Sequence, residues 1–278
     1  MPNTIALRKF YSEALDEVYK LASLTSVLDG DNSLVREGAN ANELLIPKMD
    51  MDGLDDYSRQ TGFVDGSVTF AYESKKIAYD RGRMFTVDAL DEKEATPVFS
   101  ALSAQFVRTK VVPELDAYRL GAYATKAGNS EAAALTDGKA STKAISLAKS
   151  TIKDAEANIS TTYLFINPTI KAMIDDLDTT ASRAALEGWA GVIEVPSSRF
   201  FKTITLQHGS FKGTTAMNFL AVDKTALLQF QKHIVNKIIT PDQNQDADAW
   251  KFGYRTAGIA EVLDNRVEGI YAHTAASA

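Results

Sequence analysis

Ser67-Val68-Thr69-Phe70-Ala71-Tyr72-Glu73-Ser74-Lys75-Lys76-Ile77-Ala78-Tyr79-Asp80-Arg81-Gly82-Arg83-Met84-Phe85-Thr86-Val87 alternates apolar and polar side chains with the period of a β-strand. Val68, Phe70 and Tyr72 share one parity, and Ile77, Tyr79, Phe85 and Val87 share the other. A one-residue slip turns every later side chain to the opposite face, so the change near Ser74 predicts a bulge or twist within one long hairpin arm. No amphipathic helix adjoins this segment to cover it.

Upstream, Leu44-Leu45-Ile46 is a short strand candidate that ends at Pro47, and residues 53–66, with Gly53, Gly62 and Gly66, read as a long loop. Charge is segregated along the arm. Asp50, Asp52, Asp55, Asp56 and Asp65 crowd the loop side, whereas Lys75, Lys76, Arg81 and Arg83 crowd the returning strand. Two readings stay open: two solvated faces, or a protruding arm whose charges meet complementary charges on another subunit.

Residues 4–24 read as an amphipathic helix, with Leu7, Tyr11, Leu15, Val18 and Ala22 along one stripe that Phe10, Ala14 and Leu21 widen. The turn cluster Leu28-Asp29-Gly30-Asp31-Asn32 stops it, and the following segment is small, polar and unperiodic. A lone helix before a loose segment reads as an arm. Residues 96–127 are the longest helical run, opened by Thr96-Pro97 and closed by Gly128-Asn129. At 1.5 Å per residue it is a rod of about 45 Å, which Pro113 should kink or split about a turn earlier.

From about residue 140 the pattern alternates. Lys143 to Ala157 is helical, Thr162-Tyr163-Leu164-Phe165-Ile166 is a buried strand, and Thr169 to Leu177 is helical again. Gly191–Pro196, Phe201–Leu206 and Met217–Val222 read as strands, Ala226 to Lys232 as a short helix, and Phe252–Tyr254, Ala260–Leu263 and Val267–Tyr271 as closing strands.

The chain of 278 residues is 45% hydrophobic and 24% charged, which places it among globular proteins and excludes a disordered, collagenous or disulfide-stapled one. With no cysteine it has no thiolate chemistry, zinc–thiolate site or iron–sulfur cluster. A net charge of −6 argues against a protein whose main task is gripping a phosphate backbone. No apolar run reaches membrane-spanning length and no signal peptide is visible, so a soluble intracellular product is expected.

Catalytic motifs are missing. His208, His233 and His273 lie far apart and lack metal-ligand spacing, and no nucleophile elbow, P-loop or dinucleotide fingerprint occurs. Gly138-Lys139 lacks the upstream glycine and the following Ser or Thr of a P-loop. The acidic runs at Asp29 and Asp242 lack the glycine and glutamate of a calcium loop and read as turns. Neither a catalytic residue, a cofactor nor a metal is expected.

The order of helical arm, long β-hairpin, long spine helix, α/β domain and returning strands resembles the major capsid proteins of tailed double-stranded DNA bacteriophages, the Hong Kong 97-type fold. Ala78-Tyr79-Asp80-Arg81-Gly82-Arg83, Lys110-Val111-Val112-Pro113-Glu114-Leu115-Asp116-Ala117-Tyr118-Arg119, Phe165-Ile166-Asn167-Pro168, Val195-Pro196-Ser197-Ser198-Arg199-Phe200 and Asp264-Asn265-Arg266-Val267-Glu268-Gly269-Ile270-Tyr271 look like that family in phages of low-GC Gram-positive bacteria. The resemblance runs over essentially the whole chain, carried by the ordered set rather than by one motif.

The resemblance implies an α+β capsid fold with an N-arm at 1–42, an extended E-loop at 43–90, a peripheral domain with the spine helix at 91–133, an axial domain at 134–247, and strands at 248–278 returning to the peripheral domain. It implies a non-enzymatic shell protein that assembles into hexamers and pentamers around DNA held without sequence-specific contacts. Its implied location is the virion, with assembly in the host bacterial cytoplasm. A portal protein, a separate scaffolding protein and an optional decoration protein are the implied partners, and no membrane is involved. Contacts between subunits are expected at Leu7, Phe10, Tyr11, Asp52, Asp55, Asp56, Arg59, Lys75, Lys76, Arg81 and Arg83. The arm begins at residue 4, so no cleaved scaffolding segment is expected. Lys75 and Lys76 lie in the hairpin, but nothing marks a matched asparagine, and lysine–asparagine cross-linking is not carried over. An encapsulin-like shell enclosing cargo enzyme is the nearest rival, and a compact α/β enzyme is a more distant one.

Overall fold

The computed structural model describes residues 22–30, 36–37, 43–60, 62–77, 79–89 and 103–276. The expected helix at 4–24, with Leu7, Phe10 and Tyr11, falls almost wholly outside these residues, as does the beginning of the expected spine. In chain order the strands and α-helices are β1 (Arg36–Glu37), β2 (Glu43–Met51), β3 (Val68–Lys76), β4 (Tyr79–Asp88), α1 (Val112–Thr125), β5 (Asn129–Ala132), α2 (Gly138–Asp154), β6 (Thr162–Ile166), α3 (Pro168–Asp175), α4 (Thr180–Leu186), β7 (Gly191–Glu194), β8 (Phe201–Gln207), β9 (Ser210–Asp223), β10 (Leu227–Ile239), β11 (Ala249–Val262) and β12 (Ile270–Thr274).

The largest sheet runs β5-β12-β9-β6-β7, with β8 paired to the first half of β9. Its central strands are apolar at nearly every position because both faces are covered. Phe165, Leu220, Val222, Ile270 and Ala272 turn toward α1, joining Leu120, Tyr123 and Ala124. Leu164, Ile166, Phe219, Ala221 and Tyr271 turn the other way, toward Ile145, Ala148 and Ile152 of α2 and Ile170 and Ile174 of α3. Each fully buried leucine, isoleucine or valine among them contributes about 1.5–3 kcal/mol of transfer free energy.

Local chemistry sets the helix boundaries here. The Asp137 carboxylate accepts the Ala140 amide at 2.7 Å, so α2 starts five residues before the expected helix does. Asn167 caps α3 ahead of Pro168, and Thr179 with Ser182 forms a reciprocal capping box on α4, which was not anticipated.

A second sheet, β10-β11-β4, packs on the first half of the spine through Tyr79, Val107, Val111, Val112, Leu115, Phe252 and Tyr254. The spine therefore bridges the two sheets. Its expected break at Pro113 is present as a π-helical stretch, Val107–Val111, with the Val112 amide donating to the Val107 carbonyl. A proline without an N–H cannot continue the normal ladder, and the wider turn absorbs the lost bond. The α-helix ends at Thr125, three residues short of Gly128.

Two expectations are corrected. Residues 67–87 are not one hairpin arm. Val68–Lys76 pairs antiparallel with Glu43–Met51 over its full length, whereas Tyr79–Asp88 pairs with β11 in the other sheet. The parity change marks the passage between sheets, and β2 continues through Pro47, where β1 no longer pairs on its far side. Residues 226–232 are not a helix: beyond a short 3₁₀ turn they begin β10, which pairs with β11 from Leu227↔Val262 to Ile239↔Lys251. That long ladder outweighs a helical preference spread over only seven residues.

Candidate inter-subunit surface

The β2–β3 hairpin is fixed at its root, where Ile46 packs on Leu228 and Ile259. Beyond that root it is uncovered. Of the thirteen large apolar side chains that stand exposed among the described residues, nine lie between Met49 and Tyr72. Leu54 is fully exposed and Phe63 is 89% exposed. Scattered exposed apolar residues are ordinary, whereas a concentration on one projecting element marks an interaction site.

The hairpin tip is internally ordered. Asp52 and Ser67 close its base, the Ser67 amide donating to the Asp52 carboxylate at 2.7 Å and the Asp52 amide to the Ser67 carbonyl at 3.1 Å. Ser58 and Gly62 exchange backbone bonds of 3.2 and 2.8 Å, and Tyr57 meets Phe63 edge-on at 4.9 Å. The Asp56 amide donates to Asp55 at 2.7 Å, leaving the carboxylates of both exposed beside the exposed Arg59. The tip is thus an acidic, apolar knob.

The basic residues divide by role. Arg81 is engaged within its own chain, with Nε and Nη2 on the two Glu114 oxygens at 2.8 and 3.2 Å and Nη2 also on the Gln207 carbonyl at 2.7 Å. This fork ties β4 to the spine and to the β8–β9 turn, and the bond to Glu114 raises the Arg81 pKa further. Lys75 pairs with Glu73 at 2.7 Å and lies 3.9 Å from Asp264, and the hydrogen bond it donates to Glu73 holds its ammonium above the usual lysine value. Lys76 and Arg83 are exposed.

Beside Arg81 lies a groove of about 670 Å³ between β4, the spine and the β8–β9 turn. Phe85, Phe106, Leu206 and Tyr254 form its apolar wall, while Arg83 and Lys110 line it with no ion pair among the described residues. The buried Thr256 also lines it, and its hydroxyl has no hydrogen-bond partner among the described residues. None of the described residues between 52 and 67 lines the groove of its own chain.

Sequence reasoning missed a buried polar node at Asp116, Arg119, Thr25 and Gln229. Its signal was an aspartate and an arginine three residues apart on a spine whose neighbours Leu115, Ala117 and Leu120 are apolar. Among the described residues no group of three or more His, Asp or Glu side chains could hold a metal, and no helix is long and apolar enough to cross a membrane.

No family model matches the sequence, and no curated protein matches it significantly. Solved structures do match. The mature capsid of bacteriophage PhiM1 superposes with a TM-score of 0.60 at 12% identity, covering 86% of this chain and 83% of that one. The capsid of cyanophage P-SCSP1u gives 0.59 at 14% identity, with 87% and 86% covered. A virus-like particle from Pyrococcus furiosus gives 0.59 at 13% identity and covers 98% of this chain and 100% of its own. Across a sheet packed on both faces, a bridging spine and a projecting hairpin, the chain has the Hong Kong 97-type capsid fold.

Proposed function

We propose that this chain is the shell-forming subunit of a capsid, specifically the major capsid protein of a tailed phage, associating through hexamers and pentamers around double-stranded DNA. The observation that carries the reading is the uncovered hairpin: Met49, Leu54, Phe63, Val68 and Phe70 are each more than half exposed in their own subunit, and a neighbouring copy would cover them. The acidic, apolar tip complements the groove beside Arg83 and Lys110. Knob and groove are different surfaces of one chain, so their contact is heterologous, the kind that builds a ring when its rotation closes. Asp52, Asp55, Asp56, Arg59, Lys75, Lys76, Arg81 and Arg83 belong to this contact region, with Arg81 shaping the groove wall and Arg83 facing the partner. Leu7, Phe10 and Tyr11 are proposed to contact neighbours through the N-arm. Many such contacts, each weak, add through multivalency.

The role is structural rather than catalytic. A net charge of −6 supports confinement of DNA instead of tight backbone binding. Separate scaffolding and portal proteins complete the proposed assembly, which forms in the host cytoplasm. A second reading, a closed compartment around protein cargo, draws support from the end-to-end match to the Pyrococcus virus-like particle. Light scattering on the purified chain, alone and co-expressed with its neighbouring genes, tests shell formation. Particles of many megadaltons support it, and a small oligomer under every condition overturns it. Nucleic acid co-purifying inside the particles separates the phage reading from the cargo one.

A further inference from the structure

Asp116 lies fully buried on α1, and its carboxylate is saturated by donors. Oδ1 accepts from Ser23 Oγ at 2.8 Å, Thr25 N at 3.2 Å and Thr25 Oγ1 at 2.7 Å. Oδ2 accepts from Leu24 N at 3.0 Å and Arg199 Nη1 at 3.3 Å. All but one of these donors belong to a three-residue segment about ninety positions earlier in the chain.

The same segment is gripped from its other side. Gln229 Nε2 donates to the Thr25 carbonyl at 2.9 Å and also to Asp29, while its Oε1 accepts from Tyr123 OH at 2.6 Å. Arg119 Nη1 donates to Thr25 Oγ1 at 3.2 Å, and Leu28 is buried in the main core.

Packing alone does not call for such a group. An apolar side chain would fill a buried helix position without the desolvation that a carboxylate suffers. What the carboxylate adds is directionality, because it binds two consecutive backbone amides and two hydroxyls and so fixes one register of the segment. Being fully buried, it touches no neighbouring subunit.

We propose that Asp116 is the positioning residue of the N-terminal arm. It fixes the position and backbone register of Ser23–Thr25, to which the N-terminal residues are joined, and shell closure depends on it through that anchor. This inference rests on the shell reading above.

The test is Asp116→Asn in the full chain, with Ser23→Ala/Thr25→Val as an independent pair on the arm side. Hydrogen exchange at the Leu24 and Thr25 amides and the yield of closed particles are the readouts, with far-UV circular dichroism monitoring the subunit fold. Asp116→Asn is expected to speed exchange at both amides at least tenfold and to cut closed-particle yield at least tenfold while leaving helix content unchanged. Combining it with the arm-side pair should add no further loss, since all three substitutions break one linkage. Protected amides in Asp116→Asn, additive losses, or freed amides with wild-type particle yield would each overturn the proposal. If Asp116→Asn fails to fold, the arm-side pair alone decides by the same two readouts. Failure of the shell reading is distinct: the wild-type chain itself would then form no closed particles, and amide exchange would still decide whether Asp116 holds the arm.

Discussion

Gly138 abuts Met173 so closely that a Cβ on Gly138 would stand 2.0 Å from the Met173 carbonyl oxygen. The first turn of α2 and the last of α3 meet backbone to backbone, and the sheet face they cover includes Leu164 and Phe219. Gly138→Ala should therefore destabilise the subunit by about 3 kcal/mol despite alanine's better helix propensity, because neither backbone is free to yield. Urea unfolding measures it, and a change under 0.5 kcal/mol would refute the close approach.

The hairpin tip predicts the opposite combination, intact folding with lost assembly. Leu54→Ser with Phe63→Ser removes two exposed side chains, so subunit stability should stay within about 0.5 kcal/mol of wild type. Closed-particle yield should fall at least tenfold, as expected when apolar anchors leave an interface. Calorimetry and light scattering on the same preparation check both halves.

Charge at the tip and groove gives a rescue experiment. Asp55→Lys with Asp56→Lys and Arg59→Glu should impair assembly while helix content stays unchanged. Adding Arg83→Glu and Lys110→Glu should restore a measurable part of it, because complementarity fixes register between neighbours. Assembly that proceeds normally in the triple variant would contradict a role for the tip's charges.

His273 links pH to subunit stability. It is fully buried, stacks on Phe219 at 4.8 Å, meets Asn218 Nδ2 through Nδ1 at 3.0 Å, and holds Nε2 4.0 Å from Glu131. Burial, only partly offset by Glu131, lowers its pKa below the ordinary 6.5, and the neighbouring Tyr271, buried and bonded to Glu131, is pushed up to about 12. The unfolded chain then takes up a proton at a higher pH than the folded one. Stability from neutral His273 is complete above pH 6.5 and is lost as pH falls through the depressed folded value. The melting temperature should drop between pH 7.5 and 5.5, and His273→Phe should flatten that slope. An equal slope in the variant would assign the effect to other groups.

Much of the fold could be read from the sequence because its signals are local. Tyr163–Ile166 and Phe219–Val222 are apolar at successive positions, which only strands covered on both faces require. Pro113 announced its break for an equally local reason. What escaped depends on distant partners. Val68, Phe70 and Tyr72 alternate as a strand must, but nothing in them specifies pairing with Met49 and Pro47 rather than with the adjacent β4. Leu227–Gln231 has too few residues to separate the two periods, and β11 settles the matter from thirty residues away. Gly138, unremarkable as a failed P-loop, owes its place to Met173. At the candidate surface the segregated charges were visible, whereas the division between a self-engaged Arg81 and an Arg83 with no ion pair among the described residues depends on where Glu114 and Gln207 lie.

Electron microscopy of the full chain, expressed alone and with its neighbouring genes, tests the central claim most directly. The account predicts closed icosahedral shells, or tubes and irregular shells that become uniform when a scaffolding partner is present. A homogeneous small oligomer under every condition, with the hairpin tip still exposed, would contradict it.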